Sequence, residues 1–276
     1  MVSSLVGDLE DRMGKEQAAV LMAEAARENA RLAAVVETVR EFEEKIEEEN
    51  AKYKALPRPS YVELKTQSAN SSWASALRRW SAGATPEEIQ MAGEDFLSGA
   101  EEEKVWGFLR ILNRRAYPGN PERLLALADD ERPRIRRAAV VALSNVAHPE
   151  VRRRAQDLLK TKDRFGDGAR LLVSNYEPGD FTILEGLLRQ VESDDDVHDV
   201  GFSVQSILEK TRTTDAERSL LLLYEKTPCS NCRRWFVRLL AEMKKIPDWM
   251  RAECLYDANG GTVEVVERDV KVVEKG

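Results

Sequence analysis

The sequence predicts an all-α protein built as a solenoid of short helix pairs, and three observations carry that reading. Pro86, Pro121, Pro149, Pro178 and Pro247 stand 35, 28, 29 and 69 residues apart. The last gap is two steps of about 34, with the polar Thr213-Thr214-Asp215 near its middle. Each of these sites opens a short amphipathic run, and a second apolar run lies between each pair. A period near 30 that carries two helices marks stacked repeats, because one such pair cannot bury its apolar face alone.

Composition agrees with a folded, helix-leaning chain. Of 276 residues, 33% are charged and 42% apolar, with only 15 Gly and 10 Pro, enough for one large domain or two small ones. The net charge of −7 argues against wholesale nucleic-acid or membrane binding, while leaving room for local patches. Residues 1–8 show no basic start and no apolar core, so no signal peptide is expected. No apolar stretch approaches the roughly 18 residues of a membrane span. Three cysteines, an odd number, point to a reducing compartment, and a cytoplasmic location is expected.

Residues 1–57 read as an N-terminal helical arm. Leu32, Val35, Val39, Phe42, Ile46, Tyr53 and Leu56 step by threes and fours, with Glu49 as a miss. Glu43, Glu44, Lys45, Glu47, Glu48 and Lys52 form a solvated face, and Pro57 and Pro59 end the run. Such a narrow stripe either docks on the first repeat, the preferred reading, or makes a homodimer through the helix.

Residues 58–260 hold the array. Its opening segment carries Tyr61, Leu64, Trp73, Leu77 and Trp80, interrupted by the polar run 68–72. One helix set then starts at Pro86, Pro121, Pro149, Pro178, Thr213 and Pro247, since proline is tolerated in a first turn. The other set spans roughly 101–115, 132–147, 165–176, 195–211 and 229–243. Ala147-His148-Pro149 leaves almost no slack, which makes the helices it joins antiparallel. In residues 261–276, Gly260-Gly261 is expected to stop the last helix. The β-branched runs 262–267 and 270–273 then read as strand, a cap or a tail.

Arg134-Ile135-Arg136-Arg137-Ala138-Ala139-Val140, followed by His148-Pro149-Glu150-Val151, resembles a HEAT repeat of the short bacterial type, also found in bilin lyases. The likeness covers about 120–160 and elsewhere rests on the period. The run around Val197–Phe202 lacks the arginine, and Gly166 and Gly168 weaken the run 165–176. The resemblance implies a right-handed α-solenoid whose proline-started helices line a concave, partner-facing surface.

Cys229-Ser230-Asn231-Cys232 is the sharpest chemical motif. A helix start stabilises a thiolate, yet no strand precedes it as a thioredoxin-like site requires. Zinc needs four ligands, and the set on offer is Cys229, Cys232, His198, which stacking places near Cys232, and Cys254. Small residues packed at a helix start are preferred over metal or redox chemistry. His148 reads as a cap in a tight turn, and Asp194-Asp195-Asp196 as carboxylates capping a helix start. No nucleophile, P-loop, dinucleotide or zinc-protease motif is present, so neither catalysis nor a cofactor is expected.

Charge is uneven along the array. Residues 110–160 carry twelve Lys or Arg against six acids, and 177–199 carry eight acids against one arginine. Arg134, Arg136 and Arg137 are assigned to ion-pair ladders, with Arg136 facing Asp129 or Asp130. The cluster Arg152-Arg153-Arg154 has only Glu150 and Asp157 nearby in sequence. Arg114, Arg115, Arg152, Arg153, Gln156 and Lys160 are therefore the candidate contacts for another protein with an acidic surface. The alternative is a nucleic-acid binder like the HEAT-like DNA glycosylases, with Arg78, Arg79, Arg110 and the same arginines on phosphates and Trp80 or Trp106 stacking on bases.

Overall fold

The computed structural model describes residues 14–99, 101–161 and 163–273. The signal-peptide reading of residues 1–8 falls outside them. The described chain is all-helical, with no strand, and none of its helices is long and apolar enough to cross a membrane. It divides into two compact units, residues 1–58 and 59–276.

The first unit is a pair of helices, α1 (Lys15–Glu28) and α2 (Ala30–Ala55), packed on each other. Asn29 separates them, and its side-chain oxygen accepts hydrogen bonds from the Arg31 and Leu32 amides at 3.1 and 3.2 Å. Ala18 and Met22, one helical turn apart, are buried. Of the expected stripe, Leu32, Val35 and Val39 are half-buried, whereas Phe42, Ile46 and Leu56 are exposed.

The second unit opens with α3 (Tyr61–Thr66), where Ser60 and Glu63 form a reciprocal capping box. In α4 (Ser71–Ala82) the Asn70 side chain accepts from the Trp73 amide, so the polar run at 68–72 supplies a cap. Thr85 and Glu88 form a second capping box on α5 (Pro86–Phe96). Then come α6 (Glu102–Leu112), α7 (Glu122–Leu127), α8 (Pro133–Leu143) and α9 (Pro149–Leu159). Proline occupies the first turn of α5, α8 and α9 and the cap of α7. Next, α10 (Phe165–Leu171) tightens into a 3-10 turn, Leu172–Ser174, before α11 (Asp180–Gln190) and α12 (Asp194–Thr211). The chain continues through α13 (Glu217–Lys226), α14 (Ser230–Glu242), α15 (Asp248–Cys254) and α16 (Gly260–Val273).

Contacts follow a simple rule. Helices α4, α6, α8, α10, α12, α14 and α16 each pack on the next of their set. Helices α5, α7, α9, α13 and α15 each pack on a member or two of that set, and α11 packs on α13. One continuous apolar core runs from Leu64 to Val266. Its first section is aromatic: Phe96 packs against Tyr61, Trp73 and Phe108, and Tyr61 against Trp80, with ring centroids 5.7–5.9 Å apart.

Two expectations are corrected. Residues 262–273 are helical, and Gly260-Gly261 begin the last helix instead of ending its predecessor. Thr262 and Val266 are fully buried one turn apart, and α16 packs on α14, so burial of a helical face overrides the β-preference of the valines. Asp194, Asp195 and Asp196 lie in the first turn of α12, but among the described residues none of their carboxylates caps an amide. Their favourable effect is through the helix dipole alone.

Gly168 has a positive role. A Cβ there would stand 2.8 Å from the Leu159 nitrogen and 2.9 Å from the Ala155 oxygen, so its absence lets the backbones of α9 and α10 meet. At Gly166 the nearest atom would be 3.6 Å away. Gly168→Ala is expected to lower stability by about 1–3 kcal/mol through overpacking. Gly166→Ala is expected to raise it by up to about 1 kcal/mol through helix propensity. Urea unfolding of the two variants checks both signs.

Candidate functional site

The arginine cluster at the start of α9 is largely committed to the fold. Arg152 is held by Asp180 through two hydrogen bonds of 2.8 and 3.0 Å, by an ion pair with Glu177 at 3.0 Å, and by the Asn175 carbonyl. Its side chain is only 16% exposed and that of Asp180 4%. Asp180 also accepts from the Glu177 amide at 2.7 Å. The bond to Asp180, working against burial, raises the Arg152 pKa above its usual range.

Arg154 pairs with Asp129, which also accepts from Arg164 at 2.8 Å. Arg164 in turn reaches Asp167 and the Ala128 carbonyl. Burial works to raise the Asp129 carboxyl, but the bonds from Arg164 and Arg154 outweigh it and leave it lowered. The expectation that Glu150 and Asp157 are the only acids near the cluster is thus overturned for Arg152 and Arg154. Asp129, Glu177 and Asp180 lie 25–28 residues from their partners in sequence and are brought in by packing of neighbouring helix pairs.

The other candidates separate. Arg115 donates to the Ser81 and Ala84 carbonyls at 2.9 and 3.2 Å, closing the end of α4. Arg136 meets the Asp130 carbonyl at 3.0 Å, not its carboxylate. Arg134 pairs with Glu103 and lies 3.6 Å over the Trp106 ring, on which Arg110 also rests at 4.7 Å. Trp80 is 1% exposed, so it is a core residue and not a stacking platform. Arg114, Arg153, Gln156 and Lys160 stay on the surface. Arg153 and Lys160 make only local pairs with Glu150 and Asp157, of a kind that contributes about 0–1 kcal/mol.

Arg152, Arg153 and Gln156 line one shallow groove of about 520 Å³, with His148, Tyr176 and Glu177 opposite. Arg114, Arg115 and Lys160 do not belong to it. His148 caps α9 through Nδ1, which accepts from the Glu150 amide at 3.2 Å. The groove wall is fixed by Asn175, whose side chain donates to the Val146 and Leu171 carbonyls at 2.9 Å and accepts from the His148 amide at 2.9 Å. Sequence reading missed Asn175. Its signal was the doublet Ser144-Asn145 repeated 30 residues later as Ser174-Asn175.

A second cluster lies between α12 and α14. His198, Cys229 and Cys232 bring their ligating atoms within 4.8 Å of one another. Cys232 Sγ is 3.2 Å from His198 Nδ1. Burial, then the neighbouring Cys229, pushes the Cys232 thiol up to about 12. Cys229 is lowered, chiefly by the Cys232 amide, with the Asn231 amide assisting against burial. Cys254 is elsewhere, fully buried and 3.4 Å from the Tyr224 hydroxyl.

No family model, curated protein or solved structure matches this chain.

Removing one member of the buried Arg152–Asp180 pair strands the other. Asp180→Ala is expected to cost about 3–5 kcal/mol. The double change Arg152→Met with Asp180→Leu should cost far less than the two single changes added together, as a urea-unfolding cycle would read. A pH effect follows from Asp130, which hydrogen bonds from the Arg132 side chain, outweighing burial, hold at about 2 instead of 3.8. Because its folded value is depressed, its contribution is complete above the ordinary 3.8 and is lost as the pH falls towards about 2. Asp130→Asn should flatten stability over that window, measured by acid unfolding.

Proposed function

We propose that residues 59–276 form a HEAT-like α-solenoid that acts as a non-catalytic protein-interaction module. The single observation that carries the reading is the unbroken chain of contacts through alternate helices α4 to α16, with the intervening helices laid along it. Stacking of this kind spreads stability over nearest neighbours and leaves one helix set free to present side chains along an extended face. The resemblance of residues 120–160 to a HEAT repeat supports the same reading, and assigns α5, α7, α9, α11, α13 and α15 to that face.

On this face the contact residues are Arg153 and Gln156 in the groove beside α9, with Lys160 at its end. Arg152 and Asp180 hold the wall and make no claim on a partner. The partner is a protein with acidic groups opposite Arg153 and Lys160, because exposed rim charges act mainly on encounter rate and partner choice. Nucleic acid is disfavoured: Arg115, Arg134, Arg152, Arg154 and Arg164 are engaged within the fold, and Trp80 is buried.

The test is capture from source lysate, with and without nuclease, comparing wild type with Arg153→Glu/Lys160→Glu. This variant spares the buried pair and should unfold like wild type. One protein retained after nuclease should associate with the variant about three- to tenfold more slowly at low salt, the difference closing at high salt. Capture of nucleic acid alone, or a partner whose rate ignores both changes, would reject the proposal.

A further inference from the structure

We propose that His198 Nδ1, Cys229 Sγ and Cys232 Sγ form a binding site for a zinc-class cation, with three protein ligands and one exchangeable position, bridging α12 and α14. The first support is geometric. Two ligands on a tetrahedral zinc, at about 2.1 and 2.3 Å from the ion, stand roughly 3.5–3.8 Å apart. The three atoms here already lie within 4.8 Å of one another, with Cys232 Sγ and His198 Nδ1 at 3.2 Å. Seating an ion asks for side-chain adjustments of about an ångström, with no rearrangement of the helices.

The second support is the construction of the site. Cys229 is the N-cap of α14 and Cys232 its third residue, so one helix start presents both sulfurs. His198 comes from a different helix and is fixed against Phe202, ring centroids 4.6 Å apart and nearly perpendicular. Asp195, Asp196 and Asp199 share the first turns of α12 with His198, so that helix start is rich in negative charge. The nearest arginine in sequence, Arg233, is turned to Tyr224 and Glu253 at 2.7 Å each.

Two soft thiolates and one imidazole select zinc over magnesium or calcium, which take oxygen ligands. On binding, both sulfurs shed their protons to solvent and bind as thiolates. The fourth position falls to water or to a ligand from a partner. Cys254, tied to Tyr224, does not reach it.

The experiment uses the full chain, stripped of metal under a thiol-free reductant, and titrated with Co²⁺ as a spectroscopic probe and then with Zn²⁺. One equivalent of Co²⁺ should give the intense visible bands of a tetrahedral ion and a sulfur-to-cobalt charge-transfer band, both erased by one equivalent of Zn²⁺. Zn²⁺ at a hundredfold excess over its Kd should raise the melting midpoint by about 5 °C or more. Cys229→Ser, at a half-exposed position that tolerates the change, should weaken the charge-transfer band. His198→Ala should weaken Zn²⁺ binding at least about tenfold, by the scale on which lost ligand support acts. Cys254→Ser should leave both signals in place. Absence of a charge-transfer band in the wild type, or bands unchanged in Cys229→Ser and His198→Ala, would overturn the site and leave a thiol–imidazole hydrogen bond only. Metal-free melting of each variant separates loss of ligand from loss of fold.

Discussion

The end of every helix leaves carbonyls without an amide partner, and in this protein several of those ends, among them Leu97, Leu112 and Ala128, are buried in the core. The rest of the structure depends on how they are satisfied. A side chain from about one pair further along the chain supplies the missing donor. Arg115 reaches the Ser81 and Ala84 carbonyls, Arg123 the Leu97 carbonyl at 2.8 Å, and Asn145 the Leu112 carbonyl at 3.0 Å. Arg164 reaches Ala128 at 2.7 Å, Ser174 reaches Ser144, Asn175 reaches Val146 at 2.9 Å, and Lys226 reaches Val191 at 2.8 Å. Donor and acceptor are 26–36 residues apart in every case. Each bond is worth about 1 kcal/mol when made, somewhat more from a charged donor, but an unmade one would strand a buried carbonyl at about 1–3 kcal/mol. Where such a bond is made, the ladder fixes the register of one pair on the next.

That dependence explains what was legible in the sequence. The period and the helix starts were visible because proline near a helix start is a local signal: Pro86 and Pro149 open α5 and α9, Pro121 and Pro247 cap α7 and α15, and α11 begins two residues after Pro178. The ladder itself was hidden, since its partners are a whole pair apart and any one of them reads as an ordinary surface residue. Only the doublet Ser144-Asn145 and Ser174-Asn175 carried its imprint. Helix α1 was missed because its buried face rests on Ala18 and Met22, which give weak hydropathic contrast. Helix α16 was misread because valine prefers strands until a neighbouring helix offers it a face to bury.

The charge map must be read through the same ladder. The excess of arginine between 110 and 160 suggests a strong positive surface, yet much of it serves the interior contacts between pairs. Arg152 and Arg154 spend their charge on Asp180 and Asp129, and Arg115 and Arg123 on carbonyls. What remains outside is sparser: Arg110 and Arg134, both laid on the Trp106 ring, with Arg114, Arg137, Arg153 and Lys160. A sparse set suits discrimination between proteins better than tracking a phosphate backbone, whose affinity grows with every cation that meets a phosphate. Fold and recognition thus draw on one pool of arginines, and the fold takes the buried share.

Among the described residues, the thiol–imidazole cluster is the rung whose atoms are grouped closely enough to hold a metal ion. His198 and Cys232 are 34 residues apart, the same spacing that elsewhere joins a donor to a carbonyl. The stacking of α12 on α14 brings them together without any local motif, and the Cys229–Cys232 helix start adds the third atom. An amide or arginine rung is permanent once the pairs have docked. A rung made of two sulfurs and an imidazole, holding the proposed ion, changes strength with the metal available, because metal binding couples to folding. The contact between α12 and α14 is accordingly the point in the array where its mechanics can respond to solution chemistry.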